Sequence, residues 1–250
     1  MPDQLLPVVV VHGVGVGDNR DRAGYSRSLS NAVTDALRPV IRVGPKEVPV
    51  LNPVPETSIV WEEALWEGEN DVVDDQIALA LKLAVRSNLT RALAKKALDL
   101  LIDVPLYLGP QGEYIRNVVK AVIAKHPHCV LVGHSLGSVI SYEILRQAQE
   151  QDNFNCLPVS AFVTLGSPLS LLFSCLPPTS QMKKEFPFKW ENFYYPNDLV
   201  CARKPLDRMR YLSVCNHSLS AEMSWGDAHT AYWSASTISD SIYRLTCGKG

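Results

Sequence analysis

Residues 129–145 read CVLVGHSLGSVISYEIL and contain Gly133-His134-Ser135-Leu136-Gly137, the pattern G-x-S-x-G. An apolar run precedes it and an amphipathic run follows, so the serine falls at a strand-to-helix turn. A hydroxyl projecting from such a turn can be reached by a base and made nucleophilic. A turn this sharp strains the backbone at the serine. Side chains two residues before and after would collide, which accounts for both glycines. The helix opening at Leu136 aims its first N–H groups at the same place and favours negative charge developing there. The bland alternative is a strand–helix connection that merely needs small residues.

A second glycine-rich turn lies in VVVVHGVGVGDNR, residues 8–20. Its backbone N–H groups suit either the phosphates of a nucleotide or the negative oxygen of a reaction intermediate. The dinucleotide fingerprint requires glycine at position 18, where the chain has Asp18, and no Walker lysine follows. A nucleotide-binding oxidoreductase is disfavoured on this ground. In the second reading, the N–H of Leu136 is one oxyanion donor. The other is an N–H just beyond His12-Gly13, with Val14 the first choice and Gly15 the second. His12 would orient this loop through a hydrogen bond.

The elements that must hold these turns follow from periodicity. Strands are expected at residues 7–11, 58–65, 129–132, 159–165, 192–195 and 211–214, and helices at 26–37, 112–125, 136–149 and 230–245. Residues 39–55 carry five prolines and read as a loop or short edge strand. Residues 72–104 show apolar residues every four positions, from Val73 to Leu101, and Ser87-Asn88 could cap a fresh start, so two helices are expected there. Alternating strands and helices imply an α/β fold, a mostly parallel central sheet with helices on both faces. No linker divides the chain, so residues 1–250 read as one domain. The helical segment 70–108 is either a small cap or ordinary covering helices.

Composition limits the function classes. The chain has 250 residues, 46% hydrophobic and 20% charged, with a formal net charge of −2. That balance, without a Lys/Arg cluster, argues against nucleic acid as a partner. The N-terminus lacks a basic leader region and no run reaches the roughly 18 apolar residues of a membrane span, so a cytoplasmic location is expected. Lys82, Arg86, Arg91, Lys95 and Lys96 make the charged members of 82–96 all basic. A solvated helix face is the commoner reading, and contact with a membrane surface through 72–104 the rarer one. The six cysteines form no CxxC pair. Neither a zinc site nor a disulfide framework is expected, and most read as small core residues. The composition is silent on oligomeric state.

VVVVHG followed by GHSLG resembles the α/β-hydrolase superfamily, specifically its lipase- and esterase-like members, over about Pro7 to Trp233. The resemblance implies a Ser–Asp/Glu–His triad in that chain order and no cofactor. Two histidines compete for the base. His229, in SWGDAHTAYW, occupies a polar loop before the last helix, where similar enzymes place theirs. His217, in CNHSLS, follows the expected strand 211–214 more closely. His134 neighbours the nucleophile but points elsewhere on the turn. For the acid, Asp198 stands three residues past the expected strand 192–195 in a phrase similar to the D-x-V acid loop. Asp207 is the runner-up, and Asp227 reads as a loop cap.

The apolar loop GSPLSLLFSCLPP, residues 166–178, offers Leu169, Leu171, Leu172 and Phe173 to an acyl chain, or packs them under the next helix. The substrate so implied is a small-molecule ester or lipid-like compound, cleaved through an acyl-enzyme. An acyltransferase or thioesterase would use the same triad. A non-catalytic binding protein of this fold is disfavoured by the intact Ser135, Asp198 and His229.

Overall fold

The structure is a computed structural model that describes residues 5–13, 24–36, 40–43, 46–49, 59–65, 107, 111–151, 157–172, 185–208, 211–220 and 223–248. The elements in chain order are β1 (Val8–Val11), α1 (Arg27–Ala36), β2 (Val40–Val43), β3 (Lys46–Pro49), β4 (Trp61–Ala64) and α2 (Gln111–Lys125). They continue with β5 (Cys129–His134), α3 (Leu136–Glu150), β6 (Val159–Leu165), α4 (Leu169–Leu172), β7 (Lys189–Tyr194) and β8 (Val214–Ser218). The chain then forms α5 (Trp225–Thr230), a 3-10 turn (Ala231–Ser234) and α6 (Ser236–Thr246).

Six strands make one parallel sheet in the order β4-β1-β5-β6-β7-β8. The valines of β1 are fully buried because both faces of the sheet are covered, and β-branched residues suit that pleated interior. Successive side chains point to opposite faces. Val9 and Val11 pack in a core with Ile115, Val119 and Ile123 of α2 and Leu136, Val139 and Ile140 of α3. Val8 and Val10 pack in a second core with Leu29 and Val33 of α1 and Ile238, Ile242 and Leu245 of α6. The apolar positions of each helix recur at three and four residues, so each presents one stripe to the sheet. This is an α/β architecture, helices on both faces of a parallel sheet.

Strand order also fixes where a site can form. From β1 the chain turns to β4 on one side, while β5 lies on the other. The carboxyl ends of β1 and β5 are side by side, Val11 opposite Gly133. Ligands of open α/β sheets bind in the crevice at such a switch point. Both glycine-rich turns lead out of it.

Several expectations need correction. Within 39–55 the structure has an antiparallel pair, β2 with β3, Val40 opposite Pro49. The prolines masked a run rich in Val and Ile. The expected strand at 211–214 lies at Val214–Ser218 instead. Tyr211 is a buried anchor whose hydroxyl donates to the Leu169 carbonyl at 3.0 Å. The polar run after Val214 can pair because Asn216 Oδ1 accepts from Asn192 and from the Leu206 N–H at 2.8 and 3.0 Å. β7 begins at Lys189, three residues earlier than expected, and β5 runs on through Gly133 and His134. The C-terminal helix is three pieces, broken where Ala235 turns extended at φ −79°, ψ 116°.

The segment 70–108 lies, apart from Tyr107, outside the described residues. Among the described residues no helix is long and apolar enough to cross a membrane. Of the described cysteines, Cys129 and Cys201 are buried and Cys215 is exposed.

Candidate active site

Ser135 occupies the turn between β5 and α3 with φ 53° and ψ −128°, a region that non-glycine residues rarely enter. Its N–H donates to the Leu165 carbonyl at 3.0 Å, tying the turn to β6. Its own carbonyl accepts the Ser138 N–H at 3.0 Å and the Ser138 hydroxyl at 2.5 Å. Ser138 Oγ also lies 2.7 Å from Ser167 Oγ. The flanking glycines are needed for space. A Cβ at Gly133 would come 2.6 Å from the Ser138 Cα, and one at Gly137 would strike the carbonyl oxygens of Val11 and His12.

Gly13 approaches the same turn from β1. A Cβ there would lie 2.5 Å from Ser135 Cβ and 3.0 Å from the Leu136 nitrogen. The strand end after His12 is therefore pressed against Ser135 and the first N–H of α3. The His12 ring is buried, its Nδ1 beside the Gly13 carbonyl at 2.5 Å and its edge against Tyr25 at 5.2 Å. Tyr25 in turn donates to the Val10 carbonyl at 2.8 Å. Val14, the expected first oxyanion donor, lies outside the described residues, as does Gly15. Leu136 opens α3 with its side chain buried in the core and its N–H beside Gly13.

The other half of the site comes from the far end of the chain. His229 Nε2 lies 3.0 Å from Ser135 Oγ, and His229 Nδ1 lies 3.0 Å from Asp198 Oδ2. A carboxylate only accepts, so the neutral ring carries its proton on Nδ1, and Nε2 accepts from the serine hydroxyl. Asp198 is fully buried. Three donors satisfy it: the Val200 N–H on Oδ1 at 2.9 Å, and His229 Nδ1 and the Tyr232 hydroxyl on Oδ2, the latter at 2.8 Å. A buried charge needs that degree of compensation.

His229 lies in the short helix α5, where a polar loop was expected. Ser224 makes the helix possible by capping it: its Oγ accepts the Asp227 N–H at 3.3 Å and donates to the Asp227 carboxylate at 2.7 Å. Asp227 is thus an exposed cap partner and not an acid for the ring. Asp207 is exposed, with its carbonyl accepting the Tyr211 N–H at 2.9 Å. His217 is part of β8 itself. Its ring stacks on Phe193 at 4.6 Å and its Nε2 sits 3.6 Å from Glu191 Oε2, outside the Ser135–His229–Asp198 series.

Two roles near the site escaped the sequence reading. His134, expected to point elsewhere on the turn, backs His229: its Nε2–H donates to the His229 carbonyl at 2.8 Å and its ring lies 4.8 Å from the His229 ring. Burial, with His229 adding, pulls the His134 pKa down to about 3, so this ring is neutral. Tyr232, three residues past His229, shares its helical face, and that spacing was a usable signal.

The expected pocket residues fare differently. Leu169 is fully buried in the core beside Leu136 and Tyr211, so it packs and does not line an open groove. Leu172 ends α4, and Phe173 lies outside the described residues. No group of three His, Cys, Asp or Glu that could hold a metal ion occurs among the described residues.

No protein-family model and no curated protein matches the chain. Among solved structures, one similar to it is an esterase of Rhizomucor miehei, at 10% identity and a TM-score of 0.45, covering 99% of this chain and 77% of that one. Another is a cutinase-like protein from a Cryptococcus species, at 12% identity and a TM-score of 0.38, covering 97% and 94%. At such identities and scores, neither likeness speaks to what this chain acts on.

Proposed function

We propose that the chain is a serine hydrolase that cleaves carboxylic esters through an acyl-enzyme. The observation that carries this reading is the unbroken series Ser135 Oγ, His229 Nε2, His229 Nδ1, Asp198 Oδ2, with both links at 3.0 Å and a strained elbow beneath the serine. Ser135 Oγ attacks the ester carbonyl carbon while His229 Nε2 takes its proton. Asp198 holds the ring in the tautomer that can accept and stabilises the imidazolium that forms. The negative charge on the former carbonyl oxygen is met by the Leu136 N–H and by the backbone just past Gly13, where Val14 is the proposed second donor. Collapse of the intermediate expels the alkoxide, which takes the proton from His229. A water then attacks the acyl carbon with His229 again as base, releasing the acid and restoring the Ser135 hydroxyl.

The substrate class proposed is a small ester or lipid-like molecule. The test is hydrolysis of short and long p-nitrophenyl esters, together with labelling by a fluorophosphonate. Hydrolysis and labelling are both expected and both should vanish in Ser135→Ala, with a rate loss on the order of 10⁶ by analogy with other serine hydrolases. Absence of labelling in the parent protein overturns the reading.

A further inference from the structure

We propose that Tyr232 is a positioning residue that tunes the base, by donating its phenolic hydrogen to the same Asp198 oxygen that receives the His229 imidazole. The inference rests on the proposed function for its catalytic meaning, while the coupling it describes is a property of the folded chain alone.

The direction of each hydrogen bond is fixed by its neighbours. The Tyr195 N–H donates to the Tyr232 oxygen at 3.1 Å. The phenolic hydrogen is therefore left for Asp198 Oδ2, 2.8 Å away, which can only accept. Oδ2 serves two donors, Tyr232 and His229, while Oδ1 is held by the Val200 N–H at 2.9 Å. The carboxylate is thus pinned at both oxygens.

The fold keeps room for the phenol. Gly166, just past β6, has φ 55°, a conformation in which glycine is favoured. A Cβ there would lie 2.7 Å from Tyr232 Cε2 and 2.9 Å from Asp198 Oδ2. Tyr232 is itself fully buried, its ring 4.9 Å from that of Tyr195 and 5.7 Å from that of His134.

Two donors on one oxygen divide its electron density, so each bond is weaker than it would be alone. Tyr232 therefore limits how strongly Asp198 stabilises the imidazolium form of His229 and keeps the ring neutral to lower pH. Three titratable groups around this pair hold one state meanwhile, and His12 is the further histidine near them. Burial and the Asp198 charge push the Tyr232 hydroxyl far up, burial lifts the Cys201 thiol to about 12, and His134 sits down at about 3.

The experiment follows the His229 ring directly, by NMR titration of labelled histidine in the whole chain, beside the pH profile of kcat/KM on a p-nitrophenyl ester. Tyr232→Phe removes the donor and should raise the His229 titration, and the acid limb with it, by about 0.5–1 pH unit. Ring fluorination of Tyr232 keeps the hydroxyl and makes it a stronger donor, so it should shift both the other way; it also serves if Tyr232→Phe folds poorly. A merely structural tyrosine would lower thermal stability and leave the titration where it was. An unmoved titration on fluorination, or equal shifts of one sign in both variants, overturns the inference. A moved titration in a chain that cleaves no ester leaves the inference standing and removes the proposed function.

Discussion

The two halves of the site are built on opposite plans. The half around Ser135 is mostly local: strand β5, the Ser135 turn and helix α3 are consecutive, and it needs empty space at Gly133 and Gly137, with Gly13 closing in from the distant end of β1. The acid–base half is assembled from distant segments. Asp198 follows β7, His229 and Tyr232 follow β8, and His134 reaches in from β5. The first half is held by what cannot fit, the second by hydrogen bonds between groups that must meet. Steric demands leave a fixed spacing in sequence, whereas hydrogen-bonded partners can come from anywhere in the chain.

That contrast makes separable predictions. The largest effect belongs to Asp198→Asn. The amide fills the same space, but its N–H₂ faces donors and favours the wrong imidazole tautomer. Ester kcat should fall by about 10⁴, measured by steady-state kinetics. A loss below tenfold would mean the acid half works without its carboxylate.

Gly13→Val attacks the local half by bulk alone. With a Cβ 2.5 Å from Ser135 Cβ, the strand end must back away from the nucleophile and from the Leu136 N–H. We expect kcat to drop by about 10²–10³ with a modest change in KM, and a lower thermal midpoint from a packing cost of about 1–3 kcal/mol. Full activity in a normally folded variant would show that this strand end has no part in holding the oxyanion.

The smallest effect is one of stability. His134 has its pKa drawn down to about 3 in the folded chain, against ~6.5 for an exposed histidine. Between those values the unfolded state binds more protons, so stability is lost as pH falls through that window, by up to about 1.4 kcal/mol per pH unit. His134→Gln can still donate to the His229 carbonyl but does not titrate there. Its thermal midpoint should fall less on acidification than that of the parent, as followed by thermal unfolding across pH. Parallel curves would locate the acid sensitivity elsewhere.

The same division governs what could be read in the sequence. The elbow was legible because its strand, serine turn and helix are consecutive, although the space left at Gly137 is filled from β1 by the Val11 and His12 carbonyls. The buried strands were legible from apolar runs such as Val8–Val11 and from their alternation with helices. β8 was misplaced because its stability comes from across the sheet: Asn216 is useful only where Asn192 and Leu206 meet it. Asp198 and His229 could be picked out only through the resemblance, since nothing within their own segments marks them off from Asp207 or His217. The support that His134 gives His229 escaped the sequence because it depends on a carbonyl 95 residues away.

The separation of 94 residues between Ser135 and His229 is also an interval in time. A ribosome adding about 5–20 residues per second finishes the serine elbow some 5–20 s before the histidine appears. α6, which covers the sheet face beneath β1 and β5, comes later still. Throughout that interval the nascent chain carries a serine with no base beside it, and a hydroxyl at its ordinary reactivity is a poor nucleophile. In the proposed hydrolase, a chain stopped short of Trp225 would be inert, and the capacity to attack esters would arise only once His229 has been added.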